Sequence, residues 1–203
     1  MFKIGLTGGI ASGKSYAARQ FARYGARVFD ADKAVAGLLC QDLQTIQEIQ
    51  RLFPDITKKS ASNTIDTKAL ATLVFSDSQK LAALETLLHP KIRRLQAKAM
   101  RQARQLGAKL FVAEIPLLFE ADMADCYDVI VLTTAPHILR RRRALQRGKQ
   151  DAAVIDAIMA RQMPEDAKRE LADIELCSGL GYGHMARQIR LLIVQFGNYT
   201  RYA

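Results

Sequence analysis

Eight residues near the amino end, Gly8-Gly9-Ile10-Ala11-Ser12-Gly13-Lys14-Ser15, fit the pattern G-x-x-x-x-G-K-[ST]. Glycines at these positions let the backbone curl until successive N–H groups point inward. A helix N-terminus behind such a nest favours negative charge. The chemistry implied is a grip on phosphate. Lys14 sets a positive charge on the outer phosphates of a nucleoside triphosphate, and the Ser15 hydroxyl suits Mg²⁺.

A phosphate cradle does not name a reaction. Asp30-Ala31-Asp32 follows a short apolar run, and strand alternation predicts both carboxylates on one face of a strand end. In a parallel sheet that is the edge where ligands bind. A carboxylate there can accept the proton of an attacking hydroxyl or join the Mg²⁺ shell; equally, an acid after a strand can cap the next helix. Leu110-Phe111-Val112-Ala113 ends in Glu114, a candidate for the metal shell, although any buried strand can end in an acid. Arg140-Arg141-Arg142-Arg143, with Arg147 and Lys149, is the densest positive patch. Four successive arginines point around a whole helix, so one or two can face a ligand and the rest are solvated. On a helical flap they can close over a triphosphate and stabilise charge on a transferring phosphoryl group.

Such residues need a scaffold that brings strand ends together. Apolar runs at Phe2–Leu6, Arg27–Phe29, Leu110–Ile115, Asp128–Leu132 and Asp173–Leu176 alternate with helical periodicity, which predicts a parallel α/β sheet. The first helix is expected over Lys14–Tyr24, with Ala17, Phe21 and Tyr24 on one face and Gly25 as its stop. The segment between the second and third strands is far longer than a crossover needs. Leu81, Leu84, Leu88, Ile92 and Leu95 recur there at helical steps, interrupted by Pro90, and Asn63 marks a loop. A helical subdomain is expected. Pro136 and Gly148 bracket a further helix, a second covers Ala152–Arg161, and Pro164-Glu165-Asp166 opens a third, with Lys168 and Arg169 toward its end. The stripe Met185, Ile189, Leu192, Phe196 reads as core packing.

At 203 residues the chain fits one domain, and 49% hydrophobic with 25% charged residues is ordinary for a globular protein. A net charge of +10 calls for an anionic partner or a solvated basic surface. Nucleic acid is the rival to small phosphorylated molecules, but the arginine patch lacks interleaved aromatics and the chain has no Trp. Cys40, Cys126 and Cys177 form no C-x-x-C pair and are expected as reduced, small, buried apolar residues. With no leader pattern and no apolar run near ~20 residues, a soluble cytoplasmic protein is expected. His137 and His184 have no partners at metal-ligand spacing.

Together these residues resemble the dephospho-coenzyme A kinase family over nearly the whole chain. The likeness rests on Leu6 to Ser15, the Asp30-Ala31-Asp32 step, Leu87-Leu88-His89-Pro90, Pro116-Leu117-Leu118-Phe119-Glu120, and Arg161-Gln162-Met163-Pro164 with Lys168. The resemblance implies ATP-dependent phosphorylation of the ribose 3′-hydroxyl of dephospho-coenzyme A, with Mg²⁺, on a three-layer P-loop kinase fold. That fold has a five-stranded parallel sheet flanked by helices, with a helical insertion and a helical lid. It implies a nucleotide-binding core over 1–33, 107–135 and 172–203, an acceptor-binding subdomain over 34–106 and a lid over 136–171. Lys14, Asp32 (as the base) and Arg143 are the implied catalytic residues. ATP would contact Gly8 to Tyr16, Arg140, Arg147 and Ser178, and the acceptor would meet Asp32, His89 and Pro116 to Glu120. Other P-loop kinases of nucleotides or small hydroxyl compounds are the nearest alternative, and a nucleotide-gated nucleic-acid binder a more distant one. Two positions depart from the family pattern. Tyr16 stands where Thr is usual, its N–H still able to face phosphate. Ser178 replaces an Asn near the adenine, and a hydroxyl cannot offer an amide's paired donor and acceptor, so looser ATP-over-GTP discrimination is expected.

Overall fold

The computed structural model describes residues 1–54, 65–148 and 151–199. Elements are numbered in chain order. Five strands, β1 (Phe2–Gly8), β2 (Arg27–Asp30), β3 (Leu110–Glu114), β4 (Val129–Thr134) and β5 (Ile174–Cys177), form one sheet in the order β2-β3-β1-β4-β5. Every pairing is parallel. β1 and β3 are almost continuous runs of buried residues, as strands covered on both faces must be. Parallel register brings all five carboxyl ends to one edge: Asp30 opposes Glu114, Gly8 opposes Thr133, and Thr134 opposes Cys177. β1 lies where the chain's path reverses between its two neighbours, the position at which open α/β sheets bind ligands.

Helix α1 (Lys14–Arg23) follows β1 and buries Ala17, Ala18 and Phe21. Its end is closed by Gly25 at φ +89°, with Gly25 N–H donating to Ala22 O and Ala26 N–H to Phe21 O. Tyr24 was expected on the buried stripe but is 44% exposed, because it caps the helix with non-helical torsions. At the other end of the chain, α9 (Tyr182–Tyr199) lays Met185, Ile189 and Phe196 into the same core, with Leu192 partly buried beside them. The Phe196 ring meets that of Phe2 at 5.0 Å.

Two compact units divide the chain, one of residues 1–30 and 99–203, the other of residues 31–98. Among its described residues the second is built of helices: α2 (Ala31–Gln41), α3 (Leu43–Leu52), α4 (Thr67–Phe75) and most of α5 (Ser78–Gln105). It has its own core, in which Leu38, Ile46, Ile49, Phe53, Leu84 and Leu88 meet. Asp42 starts α3 by accepting from Thr45 N–H, and Asp66 does the same for α4 through Lys68 and Ala69.

Three expectations need correction. Asp32 does not close a strand: β2 ends at Asp30 and α2 starts at Ala31, so Asp32 stands in a helical first turn, where the dipole favours an acid. The alternation that would have put Asp30 and Asp32 on one strand face therefore does not apply. Pro90 does not interrupt its helix, because α5 runs through it. Leu84 and Leu88 before it are buried and Ile92 and Leu95 after it are partly so, and this continuous packing outweighs one missing N–H. Cys40 and Cys126 are exposed and Cys177 half-buried, all three as free thiols, rather than buried. On α2, Leu38 and Leu39 take the core side, and Cys40 points onward to solvent. The loop expected at Asn63 lies outside the described residues, as does Lys149.

Candidate active site

The turn from β1 into α1 is a tight one. Gly8 (φ +144°), Ala11 (φ +56°) and Gly13 (φ +106°) all take left-handed torsions, which fold the loop back over the start of α1. A Cβ on Gly8 would collide with the Thr133 carbonyl and hydroxyl, so only glycine fits there. The loop is pinned from several sides. Ser12 and Thr133 share a hydroxyl–hydroxyl bond of 2.7 Å, and Thr133 Oγ1 donates to Thr7 O. Ala11 is buried against Ala144 and Ile155, apolar residues of two later helices. Such rigidity keeps the donors aimed before a ligand arrives.

Lys14 is buried. Its ammonium spans the loop, donating to Gly8 O at 2.7 Å and Gly9 O at 2.9 Å. At the helix start the Ser15 hydroxyl donates to Glu114 Oε1 at 2.8 Å, across neighbouring strands. Glu114 is buried at the end of β3. The loop thus joins a fixed cation, a hydroxyl and a carboxylate at one sheet edge.

Three helices follow β4 and overhang this edge: α6 (His137–Gln146), α7 (Ala152–Arg161) and α8 (Glu165–Leu171). The four arginines of α6 separate as helical geometry requires. Arg140 is buried, donates through Nε to Ala135 O and pairs with Glu165 Oε2 at 3.4 Å. Its guanidinium lies so close over Gly9 that a Cβ there would collide with Nη1. Arg143, one turn on, donates to Ser178 Oγ at 2.7 Å and Ser178 O at 3.1 Å, and lies 5.0 Å over the Tyr182 ring. Arg141 makes a two-pronged bond to Asp156 of α7, and Arg142 faces solvent. The pairing raises the Arg141 guanidinium and holds the Asp156 carboxyl below its usual range. Arg147 caps α6 and is exposed. The arginine that lies on the loop itself is therefore Arg140, with Arg143 set toward the turn after β5.

Ser178 is fully buried, and its hydroxyl donates to Ser12 O at 2.7 Å while receiving Arg143. Its one hydrogen is thereby used inside the protein. Tyr16 stacks on Tyr182 with centroids 4.4 Å apart, so Tyr16, Tyr182 and Arg143 form one cluster beside the loop.

The Pro116 to Glu120 segment leaves β3 and meets α8. Lys168, 1% exposed, pairs with Glu120 Oε1 at 2.8 Å and donates to Pro116 O, while Glu120 Oε1 also accepts from Met163 N–H. Leu118 is fully buried, filling the space that the missing side chain of Gly5 leaves open, and Leu117 is exposed. His89 is half-buried on α5, in the helical unit. Sequence reading gave no role to Gln162, yet its Oε1 accepts the Ile10 N–H at 2.9 Å. Nor did it assign Lys168 or Tyr182. The only signal for Gln162 and Lys168 was their place in the Arg161-Gln162-Met163-Pro164 match. A cavity of about 250 Å³ adjoins this place, lined in part by Gly9, His137, Arg140, Gln162, Glu165 and Lys168.

Residues 2–179 match the family model described as dephospho-CoA kinase. The chain is 37% identical over 187 residues to a dephospho-CoA kinase of Rhodospirillum rubrum, covering 92% of this chain and 88% of that one. It is 34% identical over 190 residues to one of Bartonella quintana, covering 94% and 95%. A crystal structure of a Thermus thermophilus protein superposes with a TM-score of 0.80 at 34% identity, covering 96% of this chain and 97% of that one.

Proposed function

The chain belongs to the dephospho-CoA kinase family, and on that premise we propose how its residues divide the ATP-dependent phosphorylation of dephospho-coenzyme A, the family's step in coenzyme A biosynthesis. The observation that carries the reading is the loop from Gly8 to Ser15, curled at the end of β1 with Lys14 across it and Ser15 against Glu114.

In the proposed reaction the ribose 3′-hydroxyl oxygen of dephospho-coenzyme A bonds to the γ-phosphorus of ATP. The bond from that phosphorus to the β-phosphate oxygen breaks, ADP leaves, and the hydroxyl proton passes to Asp32. The amides of Gly9 to Tyr16 hold the phosphates, with Lys14 balancing charge on the outer ones. Arg140, over Gly9, is the lid arginine best supported for the transferring group. Arg143 and Tyr182 serve the nucleoside side, and Arg147 is a more distant contributor. Ser15 Oγ and Glu114 Oε1 are two hard oxygens side by side, a donor set that suits Mg²⁺, and they would hold it. When bound, the ion neutralises charge on the phosphate oxygens. Asp32 follows the carboxyl end of β2 by two residues, at the sheet edge where α/β folds bind ligands. Pro116, Leu117, Phe119 and Glu120 serve the acceptor, with Leu118 buried beneath that segment, and His89 serves it from the helical unit. Residues 34–106 receive the acceptor and 136–171 form the lid.

A cytoplasmic setting is part of the proposal, and the three free thiols are in keeping with it. The basic surface serves small anionic substrates rather than nucleic acid. Incubating the purified protein with ATP, Mg²⁺ and a panel of acceptors, with products read by mass, tests the assignment. A phosphate is expected on dephospho-coenzyme A at the 3′ position; preference for a nucleoside monophosphate would overturn it. The same assay with GTP is expected to show substantial turnover, since Ser178 has no free amide for adenine. Strict ATP dependence would refute that part.

A further inference from the structure

Among the contacts of the cradle, one is made by a side chain of the overhanging helices to a main-chain donor of the loop. Gln162 lies where α7 ends, its backbone extended at φ −73° and ψ 142°, so its side chain is free of the helix and reaches down to the loop. Its carboxamide oxygen accepts the Ile10 N–H at 2.9 Å. The same oxygen comes within 3.3 Å of where a Cβ on Gly9 would stand, beside the Arg140 guanidinium. Met163 N–H, the next donor along, is fixed to Glu120 Oε1, so the backbone behind Gln162 stays anchored when the side chain's bond to Ile10 is exchanged.

We propose that Gln162 is a nucleotide-sensing latch: its carboxamide oxygen and a phosphate oxygen of the nucleotide compete for the Ile10 N–H. One N–H donates fully to one acceptor, so the bond to Gln162 and a bond to phosphate are mutually exclusive. The carboxamide oxygen is neutral, whereas phosphate makes a charge-assisted bond roughly twice as strong, so nucleotide displaces Gln162. Displacement frees a side chain rooted between α7 and α8, so arrival of a phosphate is reported directly to the helices that overhang the loop. Gln162 is a positioning residue in this scheme. It does not touch the reacting atoms.

The proposal rests on the cradle reading above, and titration calorimetry without acceptor separates the two. Gln162→Leu removes the competitor, and ATP is expected to bind about three- to tenfold more tightly, while adenosine, which brings no phosphate, binds as before. In ¹⁵N-labelled protein the Ile10 amide proton should move upfield in this variant. Gln162→Glu keeps the shape but supplies a charged competitor. ATP should then bind more than tenfold more weakly near pH 8 and recover as the pH falls through the glutamate's protonation, beyond the change that the ATP phosphate's own titration gives the unaltered protein with Arg140, His137, Glu165 and Lys168 around the same cavity. This second variant decides the matter if Gln162→Leu fails to fold. Unchanged or weaker ATP binding in a folded Gln162→Leu, or an Ile10 amide that does not move, overturns the latch. Failure of the unaltered protein to bind ATP would instead overturn the cradle.

Discussion

Asp32 stands in the first turn of α2, two residues past the end of β2. Its proposed role as the base rests on that placement. Asp32→Asn keeps the shape and removes the proton acceptor, so turnover should fall by a factor of about 10² to 10⁴ while ATP still binds. Lys14→Ala, in contrast, should lose transfer altogether. Steady-state kinetics beside calorimetric ATP titration checks both, and near-normal turnover in Asp32→Asn would move the base to Asp30 or remove it. The cradle was legible in the sequence because its residues are contiguous and each type has a geometric reason to be there. Gln162 was not, because its contact joins a side chain to a backbone amide 152 positions away and leaves no pattern in either segment.

The strands, α1, α6 and α7 were legible to within a residue or two, since apolar period and punctuation agree for them, whereas α2, α3 and α4 were anticipated only as an undivided helical subdomain. Where period and punctuation disagree, packing decides. Pro90 carries a strong local signal to stop, yet α5 continues because the residues on either side of it join the same cluster. An interior proline costs about 3 kcal/mol relative to alanine, which leaves a removable strain in α5. Pro90→Ala should therefore raise stability by about 1–3 kcal/mol, or several degrees in Tm for a chain of this size. Thermal unfolding tests it, and an unchanged or lowered Tm would show that the helix carries no such strain. If the gain in Tm comes with a fall in kcat/KM for dephospho-coenzyme A, the proline is kept for the way it sets His89.

Across the whole molecule, what the sequence could not supply was the order of the strands and the pairs that lock helices to them. One such pair gives a pH dependence. Glu175 of β5 is held by the Arg169 guanidinium and the Thr134 hydroxyl, which keep its carboxyl below the ordinary value of 4.5. A lowered folded value contributes stability that is complete above about 4.5 and is lost as the pH falls below it. The side chain is 37% exposed, so screening keeps the effect small. Urea unfolding at a series of pH values should show Glu175→Gln less stable at neutrality and less steeply weakened by acid, and parallel curves would refute this. A different consequence follows from the two aromatic rings that join β1 to α9. On the ribosome, the core beneath the sheet waits for the last long helix to be translated, whereas residues 31–98 already hold all the members of their own cluster. Synthesis therefore gives the helical unit a head start, and β1 must stay soluble without α9 until that helix has left the ribosome.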